Sequence, residues 1–216
     1  MAGKTMVTNN MSAEKIRDRV DLQLVADMIK SGSRVLDIGC GDGDLLNYLV
    51  HFKQVDGRGI ELSQEGVNKS VSLGLAVVQG DAEDDLKNYP SDAFDYVILS
   101  QTLQSIYDVR GTLNELLRIG QHAIVSFPNL GYWRVRFDLL IHGRSPMSEK
   151  LPYKWCDSPN IRFFTLTDFV ALAGEMGFVI HRIVSINHRG HATPKNSVGI
   201  WTNWLAEEAI YLLSRD

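Results

Sequence analysis

The amino-acid sequence predicts an α/β fold of three layers, in which a mostly parallel sheet is covered by helices on both faces. Segments of strand length alternate with segments of helical periodicity along most of the chain. The strand-like segments are apolar at almost every position, which is typical of parallel strands that are buried on both faces. A glycine cluster directly after the first strand is a third indication, because ligand-binding α/β folds place such a turn there.

The predicted strands are short segments rich in branched and aromatic residues and bounded by turn-forming residues. They cover residues 34–38, 55–62, 75–79, 94–100, 122–128, 178–186 and 197–204. Together they predict a seven-stranded, mostly parallel sheet. The last two strands are expected to form an antiparallel pair, so that the terminal strand is antiparallel.

The predicted helices carry apolar residues at the three- and four-residue spacing of a buried helix face. They cover residues 21–30, 45–52, 64–73, a segment around 113–117, 165–177 and a short closing helix at 205–214. Ser63 and Thr165 precede two of them, and a hydroxyl oxygen at that position can accept a hydrogen bond from the first turn. Gly177 is placed to end the second of these helices.

Residues 129–164 break the alternation and are predicted to form an insertion or lid after the fifth strand. Three prolines and four tyrosine or tryptophan residues interrupt the periodicity there. Because a typical domain has about 150 residues, the whole chain of 216 residues is predicted to be a single domain. Residues 1–20 have no distinctive pattern and are predicted to be a flexible N-terminal segment.

Composition and charge exclude several classes of protein. The formal net charge of −4 lacks the basic surplus of a general nucleic-acid-binding protein. Cys40 and Cys156 are the only cysteines, and His188 and His191 have no acidic or cysteine residue nearby, so neither a disulfide framework nor a metal site is predicted. No signal core and no run of 18 apolar residues occurs, which predicts a cytoplasmic protein without a membrane interaction.

The segment VLDIGCGDGDLL at residues 35–46 carries the most informative functional signal. Its three glycines let the backbone turn sharply and let a ligand approach without an intervening side chain. A dinucleotide-binding loop has a further glycine where this chain has Asp44, and both Asp42 and Asp44 would repel a pyrophosphate. A ligand with sulfonium and ammonium groups and no phosphate fits better. We therefore expect S-adenosylmethionine, or S-adenosylhomocysteine, as the cofactor.

Further site residues follow the predicted strands. Glu61 can accept hydrogen bonds from the ribose hydroxyls, Asp81 from the adenine amino group, and Asp37 from the ammonium group of the ligand, while the Ala82 backbone can reach a ring nitrogen. Cys40 is interpreted as a small residue in a tight turn. The predicted cofactor-binding residues are Asp37, Gly39, Cys40, Gly41, Gly43, Glu61, Leu62, Asp81, Ala82 and Ser100.

The combination of DIGCGDG, the two strand-end acids and the strand pattern resembles class I S-adenosylmethionine-dependent methyltransferases. The resemblance implies a Rossmann-like methyltransferase fold and the roles given above to Glu61 and Asp81. It supplies no catalytic residue, because LSQTLQSIYD at residues 99–108 lacks the Asn-Pro-Pro-aromatic signature and offers no good base. The catalytic residues are left unassigned, and whether the chain is an enzyme stays open.

A longer set of segments is more specific. RVLDIGCGDGDLL, LSQTLQ, SFPNLGYWRVRFDLL, GRSP and LPYKWCDSPNIRFFTLTDF, within about residues 21 to 187, resemble the MetW family of methionine biosynthesis proteins. This resemblance implies a methyltransferase-like subunit that supports homoserine O-acyltransferase, MetX, with the acyl-transfer nucleophile in the partner. The chain has no G-x-S-x-G motif of its own, which agrees with that division.

The insertion at residues 129–164 is predicted to bind this partner through its interleaved basic and aromatic residues. RNA binding is the less favoured interpretation, because the insertion also contains acidic residues and the whole chain is negatively charged. Two alternatives for the function stay open. One is an active S-adenosylmethionine-dependent methyltransferase acting on a small molecule or a protein, and the other is a nucleic-acid methyltransferase, which the net charge disfavours.

Overall fold

A computed structural model describes residues 19–148 and 150–215, which form eight strands and eight α-helices. The strands are β1 (Arg34–Ile38), β2 (Asp56–Glu61), β3 (Ala76–Gln79), β4 (Phe94–Ser100), β5 (Gly120–Pro128), β6 (Phe178–Ile186), β7 (Ala192–Lys195) and β8 (Glu208–Arg215). The helices are α1 (Val20–Met28), α2 (Asp44–Lys53), α3 (Gln64–Ser72), α4 (Ala82–Asp85), α5 (Val109–Ile119), α6 (Trp133–His142), α7 (Leu166–Glu175) and α8 (Ile200–Leu205). None of the helices in this described part of the chain combines the length and apolar character needed to cross a membrane.

The eight strands belong to one open sheet, in the order β3-β2-β1-β4-β5-β8-β6-β7. β1 pairs in parallel with β2 and with β4, and β2 pairs in parallel with β3. At the other end of the order, β6 pairs antiparallel with both β8 and β7. The predicted α/β class and the mostly parallel sheet with antiparallel terminal strands are confirmed, with eight strands in place of seven.

Two predicted elements near the end of the chain are wrong. Residues 197–204, predicted as the seventh strand, overlap helix α8, and residues 205–214, predicted as a helix, overlap strand β8. The first four residues of β8 are all buried, and the strand lies between β5 and β6. A strand in that position is apolar at successive residues, and periodicity alone cannot distinguish such a short run from a buried helix.

The described residues form two compact units. The first comprises residues 19–100 and 108–124, with β1 to β4 and the start of β5. The second comprises the described residues of 101–107 and 125–215, with the end of β5 and β6 to β8. The prediction of a single domain stays a prediction. A flexible segment was predicted for residues 1–20. Residues 1–18 of this segment lie outside the described residues.

Two predicted helix caps are confirmed. The Ser63 hydroxyl oxygen accepts a hydrogen bond from the Gly66 N–H at 3.4 Å at the start of α3. At the start of α7, the Thr165 hydroxyl accepts from the Asp168 N–H at 3.4 Å, and the Asp168 carboxylate accepts from the Thr165 N–H at 2.8 Å. This reciprocal capping box satisfies two N–H groups that have no partner within the helix.

Asn129, directly after β5, connects four backbone groups of the second unit. Its amide nitrogen donates to the carbonyl oxygens of Asn203 and Ala206 at 2.7 and 2.8 Å. Its amide oxygen accepts from the N–H groups of Gly131 and Leu166 at 2.8 and 3.3 Å. Only 2 % of the residue is exposed, so without this side chain these backbone groups would lose their partner in a buried environment.

The Asn129→Ala variant is expected to lower the free energy of unfolding by about 3 kcal/mol, because each buried polar group left unpaired costs about 1–3 kcal/mol and relaxation recovers part of the total. Asn187→Ala is a matched control. The Asn187 amide oxygen also accepts from two N–H groups, those of Arg189 and His191, but in a partly exposed turn. We expect the control to cost less than about 1 kcal/mol in urea unfolding. Equal losses would contradict the role assigned to Asn129.

Candidate ligand-binding site

The predicted site residues lie at one edge of the first unit, where its four parallel strands end. Ile38 of β1 is paired with Ile60 of β2 and with Leu99 of β4, and Glu61 of β2 is paired with Gln79 of β3. The segments that follow these strands therefore leave the sheet at the same edge. Parallel α/β sheets bind their ligands at this edge, because several loops converge there.

Residues 39–43 form a tight loop directly after β1. Its three glycines have φ values of 70°, 57° and 81° in chain order, a left-handed conformation that favours glycine. The Gly39 N–H donates to the Ile60 carbonyl oxygen at 2.8 Å, which places the loop over the end of β2. A Cβ atom at Gly43 would lie 2.6 Å from Ser70 Oγ, whereas one at Gly41 would meet no atom within 4 Å. The loop is thus packed against α3 at Gly43 and leaves space for a ligand at Gly41.

Glu61 holds the glycine loop to the start of α3. Its Oε2 atom accepts from the Gly41 N–H at 2.8 Å, and its Oε1 atom accepts from the Ser63 N–H at 2.8 Å. These bonds orient the loop, and a carboxylate has further lone pairs for other donors. The predicted bonds from ribose hydroxyls are compatible with this arrangement.

Two small residues of α3 are site positions that sequence reasoning missed. Ser70 Oγ donates to the Gly41 carbonyl oxygen at 3.2 Å, and a Cβ atom at Gly66 would lie 2.9 Å from the same oxygen. Residues four apart share a helix face, so Gly66 and Ser70 together allow α3 to approach the loop. The available signal was this spacing of two small residues shortly after Glu61.

Asp37 is a buried acid at the end of β1. It is 3 % exposed, and burial, followed by the negative charge of Glu61, raises its pKa to about 7. A bound cation would relieve both effects, since it favours the ionised carboxylate. The two acids therefore fit a ligand that carries sulfonium and ammonium groups.

The affinity for S-adenosylmethionine is expected to fall by about 20-fold between pH 7.5 and pH 5.5, because Asp37 must lose its proton to bind a cation and each pH unit below its pKa costs about tenfold. A folded-state pKa near 7 places this loss below pH 7 and not above it. Calorimetry across this range measures the affinity. Asp37→Asn should bind more weakly with a nearly flat profile, and the same slope in both proteins would contradict the role of Asp37.

Cys40 lies within the loop and packs against β2. A Cβ atom at Gly59 would lie 2.8 Å from its Sγ atom. Burial, followed by the charges of Asp37 and Glu61, raises the pKa of the Cys40 thiol to about 12. The thiol is therefore protonated at neutral pH and cannot act as a thiolate nucleophile.

The remaining predicted site residues follow the outer strands. Asp81 caps α4, because its Oδ1 atom accepts from the Glu83 N–H at 2.8 Å. Leu62 is 67 % exposed beside Glu61 and offers an apolar surface suited to a purine ring. Ala82 begins α4, and Ser100 ends β4. The contacts of these four residues with a ligand stay predictions.

The turn after β4, residues 101–107, is held by the end of the insertion. The Gln104 carbonyl oxygen accepts from the N–H groups of Ile161 and Arg162, both at 2.9 Å. The Arg162 guanidinium donates to the Ile106 carbonyl oxygen at 3.3 Å. Methyltransferases commonly carry an acceptor-binding motif in this turn. Here the turn is held in place by hydrogen bonds to Ile161 and Arg162.

The polar residues near this turn have structural contacts. The Gln101 side chain donates to Glu208, and the Gln104 amide nitrogen donates to the Gln101 carbonyl oxygen at 2.6 Å. Asp108 caps α5, since its carboxylate accepts from the Gly111 N–H at 2.9 Å. Among the described residues, no cluster of three or more His, Cys, Asp or Glu side chains is arranged to hold a metal ion.

Comparison with known families identifies the chain. The model of the family described as methionine biosynthesis protein MetW matches residues 19–213. The chain belongs to the MetW family. A relative from Rhodopirellula baltica, the bifunctional methionine biosynthesis protein MetXA/MetW, is 38 % identical over 170 residues, which cover 74 % of this chain and 27 % of the relative. This MetW-family chain thus spans about a quarter of that relative's length.

Solved structures share the fold at low sequence identity. The putative methyltransferase of Haloferax volcanii, solved in complex with the Trm112 methyltransferase activator, has a TM-score of 0.66 at 16 % identity and covers 95 % of this chain and 96 % of that one. An S-adenosylmethionine-dependent methyltransferase of Thermotoga maritima, described as a possible histamine N-methyltransferase, has a TM-score of 0.64 at 20 % identity, covering 90 % and 87 %. This MetW-family chain therefore has the fold of S-adenosylmethionine-dependent methyltransferases, and the resemblance to the MetW family is confirmed.

Proposed function

We propose that this chain is an adenosylmethionine- or adenosylhomocysteine-binding subunit that supports a homoserine O-acyltransferase of the MetX type. The observation that carries the proposal is the match to the R. baltica relative, whose name joins MetXA and MetW in one bifunctional protein. A subunit that acts on a separate enzyme needs a surface on which that enzyme docks. The insertion at residues 129–164 supplies the best candidate.

The insertion exposes most of the large apolar side chains on the described surface. Of the seventeen that are exposed among the described residues, nine lie in the insertion, and we call these nine the insertion face. They are Phe137, Leu139, Leu140, Ile141, Met147, Tyr153, Trp155, Ile161 and Phe163. Exposed apolar residues at this density are typical of an interaction site, because contact of apolar side chains with water is unfavourable unless a partner buries them.

A groove in the insertion offers an anchor point for a partner side chain. Its volume is about 290 Å³, and its lining includes Leu139, Tyr153, Trp155 and Phe163 of the insertion face. Interfaces derive most of their binding energy from a few aromatic or aliphatic anchors in such pockets. We expect an apolar side chain of the acyltransferase to fill this groove.

The exposed cations around the insertion face fit an acidic partner, and the formal net charge of −4 disfavours a nucleic acid. Arg144 and Lys154 are exposed and available to an acidic rim, whereas the exposed Arg134 lies over the Trp133 ring, 5.4 Å from its centroid. Three further cations of the insertion are engaged within the chain. Lys150 pairs with Glu208 at 2.7 Å, Arg136 donates to the Gly131 carbonyl oxygen at 2.6 Å, and Arg162 donates to backbone carbonyls. Only part of the basic character seen in the sequence is therefore left for a partner.

The acyl-transfer chemistry is assigned to the partner. The Cys40 thiol is held protonated by burial and by its acidic neighbours, and the sequence contains no nucleophile elbow. The contribution of this chain is then binding. Adenosylmethionine is made from methionine, so a subunit that binds it would report the output of the pathway to an early enzyme of that pathway.

Co-expression with the homoserine O-acyltransferase of the same organism tests this proposal. We expect the two proteins to elute together in size-exclusion chromatography, and added chain to raise the rate of homoserine acylation. A pair that elutes separately, with an unchanged acylation rate, would overturn the proposed function.

Methyl transfer to a small molecule or a protein is the second candidate. The glycine loop and the acids Asp37 and Glu61 favour it, because they are arranged to bind the methyl donor. The turn after β4 weighs against it, since the side-chain amide nitrogens of Gln101 and Gln104 are engaged in structural contacts. Formation of adenosylhomocysteine from adenosylmethionine with cell extract as the acceptor source would favour this candidate.

A further inference from the structure

Glu208 is a buried acid that the proposed function does not use. It begins β8 and is 0 % exposed. Lys150 of the insertion reaches it with an Nζ–Oε2 distance of 2.7 Å, and the Gln101 amide donates to its Oε1 atom. A buried carboxylate is strongly destabilising without such partners. The position of Lys150, and with it this part of the insertion, is therefore coupled to the charge of Glu208.

Gln101 is held in an unfavourable backbone conformation. Its φ of 55° lies in the left-handed region, which residues other than glycine seldom adopt. Such a conformation persists where surrounding contacts impose it. Here the Gln101 N–H donates to the Ser126 carbonyl oxygen at 2.9 Å, and its side chain is bonded to Glu208. Gln101 directly follows Ser100, the last residue of β4 and a predicted ligand-binding residue.

The Glu208 carboxylate of this ion pair is fully buried, whereas Lys150 is 32 % exposed. Such a pair contributes little net stability, because desolvation of the carboxylate offsets the attraction between the charges. Lys150 belongs to the insertion and Glu208 to an interior strand, so positioning of the insertion is the better explanation for this ion pair. Lys150, Glu208 and Gln101 form a continuous series of contacts from the insertion to the residue after β4. Hydrogen bonds and ion pairs in a continuous series are the kind of network that carries energetic coupling between two segments.

We propose that Lys150, Glu208 and Gln101 form a latch that links the ordering of the insertion to ligand binding at the end of β4. The inference rests on the proposed function, because it requires the ligand site described above. Linkage is reciprocal, so a ligand that favours the latched turn also favours the ordered insertion. Ligand binding would in this way change the surface that the acyltransferase meets.

Hydrogen exchange of the free chain, measured by mass spectrometry with and without saturating S-adenosylhomocysteine, tests the latch. We expect amides of residues 144–164 to exchange at least about fivefold more slowly with the ligand in the natural protein. The Lys150→Met variant and the double variant Lys150→Met, Glu208→Gln should lose this difference. The double variant removes both charges, so it avoids an unpaired buried carboxylate if the single variant folds poorly.

Two neighbouring substitutions are matched controls. Lys154→Met removes an exposed cation of the same insertion, and Glu207→Gln neutralises the residue next to Glu208. Both should keep the ligand-dependent protection. Protection that is absent in the natural protein, or that persists in both latch variants, would overturn the latch.

The outcomes separate the latch from the proposed partner. If the ligand slows hydrogen exchange as expected but no acyltransferase complex forms, the latch is retained and the proposed partner is rejected. If the acyltransferase complex forms but the ligand does not change the hydrogen exchange of residues 144–164, the latch alone is rejected. Calorimetry that detects no binding of S-adenosylhomocysteine to the natural protein would reject both.

Discussion

Replacing Glu61 with alanine is expected to weaken S-adenosylmethionine binding by at least about 100-fold. The carboxylate holds the Gly41 and Ser63 N–H groups at 2.8 Å, and hydrogen bonds to a charged group contribute about 1.5–3 kcal/mol each. Without these two hydrogen bonds, the glycine loop is no longer held in its binding conformation. The predicted hydrogen bonds between the carboxylate and the ribose hydroxyls of the ligand are lost as well. Since about 1.4 kcal/mol corresponds to a factor of ten, the two losses together exceed two orders of magnitude.

Glu65→Ala is the matched control for Glu61→Ala. Glu65 lies in the first turn of α3, is largely exposed and pairs with Lys69 at 3.0 Å. Its replacement removes one carboxylate from this helix but no hydrogen bond to a loop N–H group. Its binding affinity should stay within about twofold of the natural value. Calorimetry that finds equal affinities for Glu61→Ala and Glu65→Ala would show that Glu61 does not organise the site.

A second substitution tests the space above the loop itself. Gly41→Asp adds a side chain where a Cβ atom meets nothing within 4 Å, so the protein should fold while the ligand is excluded. Gly74→Asp is the control. Gly74 also has a left-handed backbone, with a φ of +81° against +57° at Gly41, and equally open surroundings, but it lies outside the predicted site. A loss of binding in Gly41→Asp alone is the expected pattern.

Charging the insertion face is expected to weaken the complex with the acyltransferase by at least about 100-fold. Leu140 and Trp155 are 78 % and 79 % exposed, and truncation of a central interface anchor commonly costs 2 kcal/mol or more. An introduced aspartate adds the desolvation of a charge to that loss. Leu140→Asp and Trp155→Asp should therefore abolish co-elution at micromolar concentration while leaving S-adenosylmethionine affinity unchanged.

Val71→Asp is the control for this pair. Val71 is an apolar residue of α3 with 51 % exposure, outside the insertion. It should leave the complex intact. Loss of the complex in Val71→Asp but not in the two insertion variants would place the docking surface elsewhere.

The fold of the first unit could be predicted from the sequence because local and global signals agree there. β1 and β4 are short apolar runs, the longer helices have one buried face, and a glycine loop marks the ligand edge. Ser63 and Glu61 illustrate the agreement. Ser63 caps α3, and Glu61, at the end of β2, accepts a hydrogen bond from the Ser63 N–H; both residues lie within three positions of the start of α3. The family resemblance was carried by this region and by the insertion.

The end of the chain could not be predicted in the same way. The run EAIYLL at residues 208–213 is apolar enough for a buried helix or a buried strand, and only its neighbours β5 and β6 decide between them. The contacts of Asn129 and Glu208 were also invisible, because their partners lie far away in the sequence. Long-range hydrogen bonds of buried polar groups have no local signature.

The rate of homoserine acylation by the acyltransferase of the same organism tests the central claim most directly. Purified acyltransferase is assayed with acetyl- and succinyl-coenzyme A, first alone and then with an equimolar amount of this chain. We predict a rate increase of at least about tenfold with the natural chain, and no increase with Leu140→Asp. An acylation rate that is the same with and without the chain would contradict the proposed role.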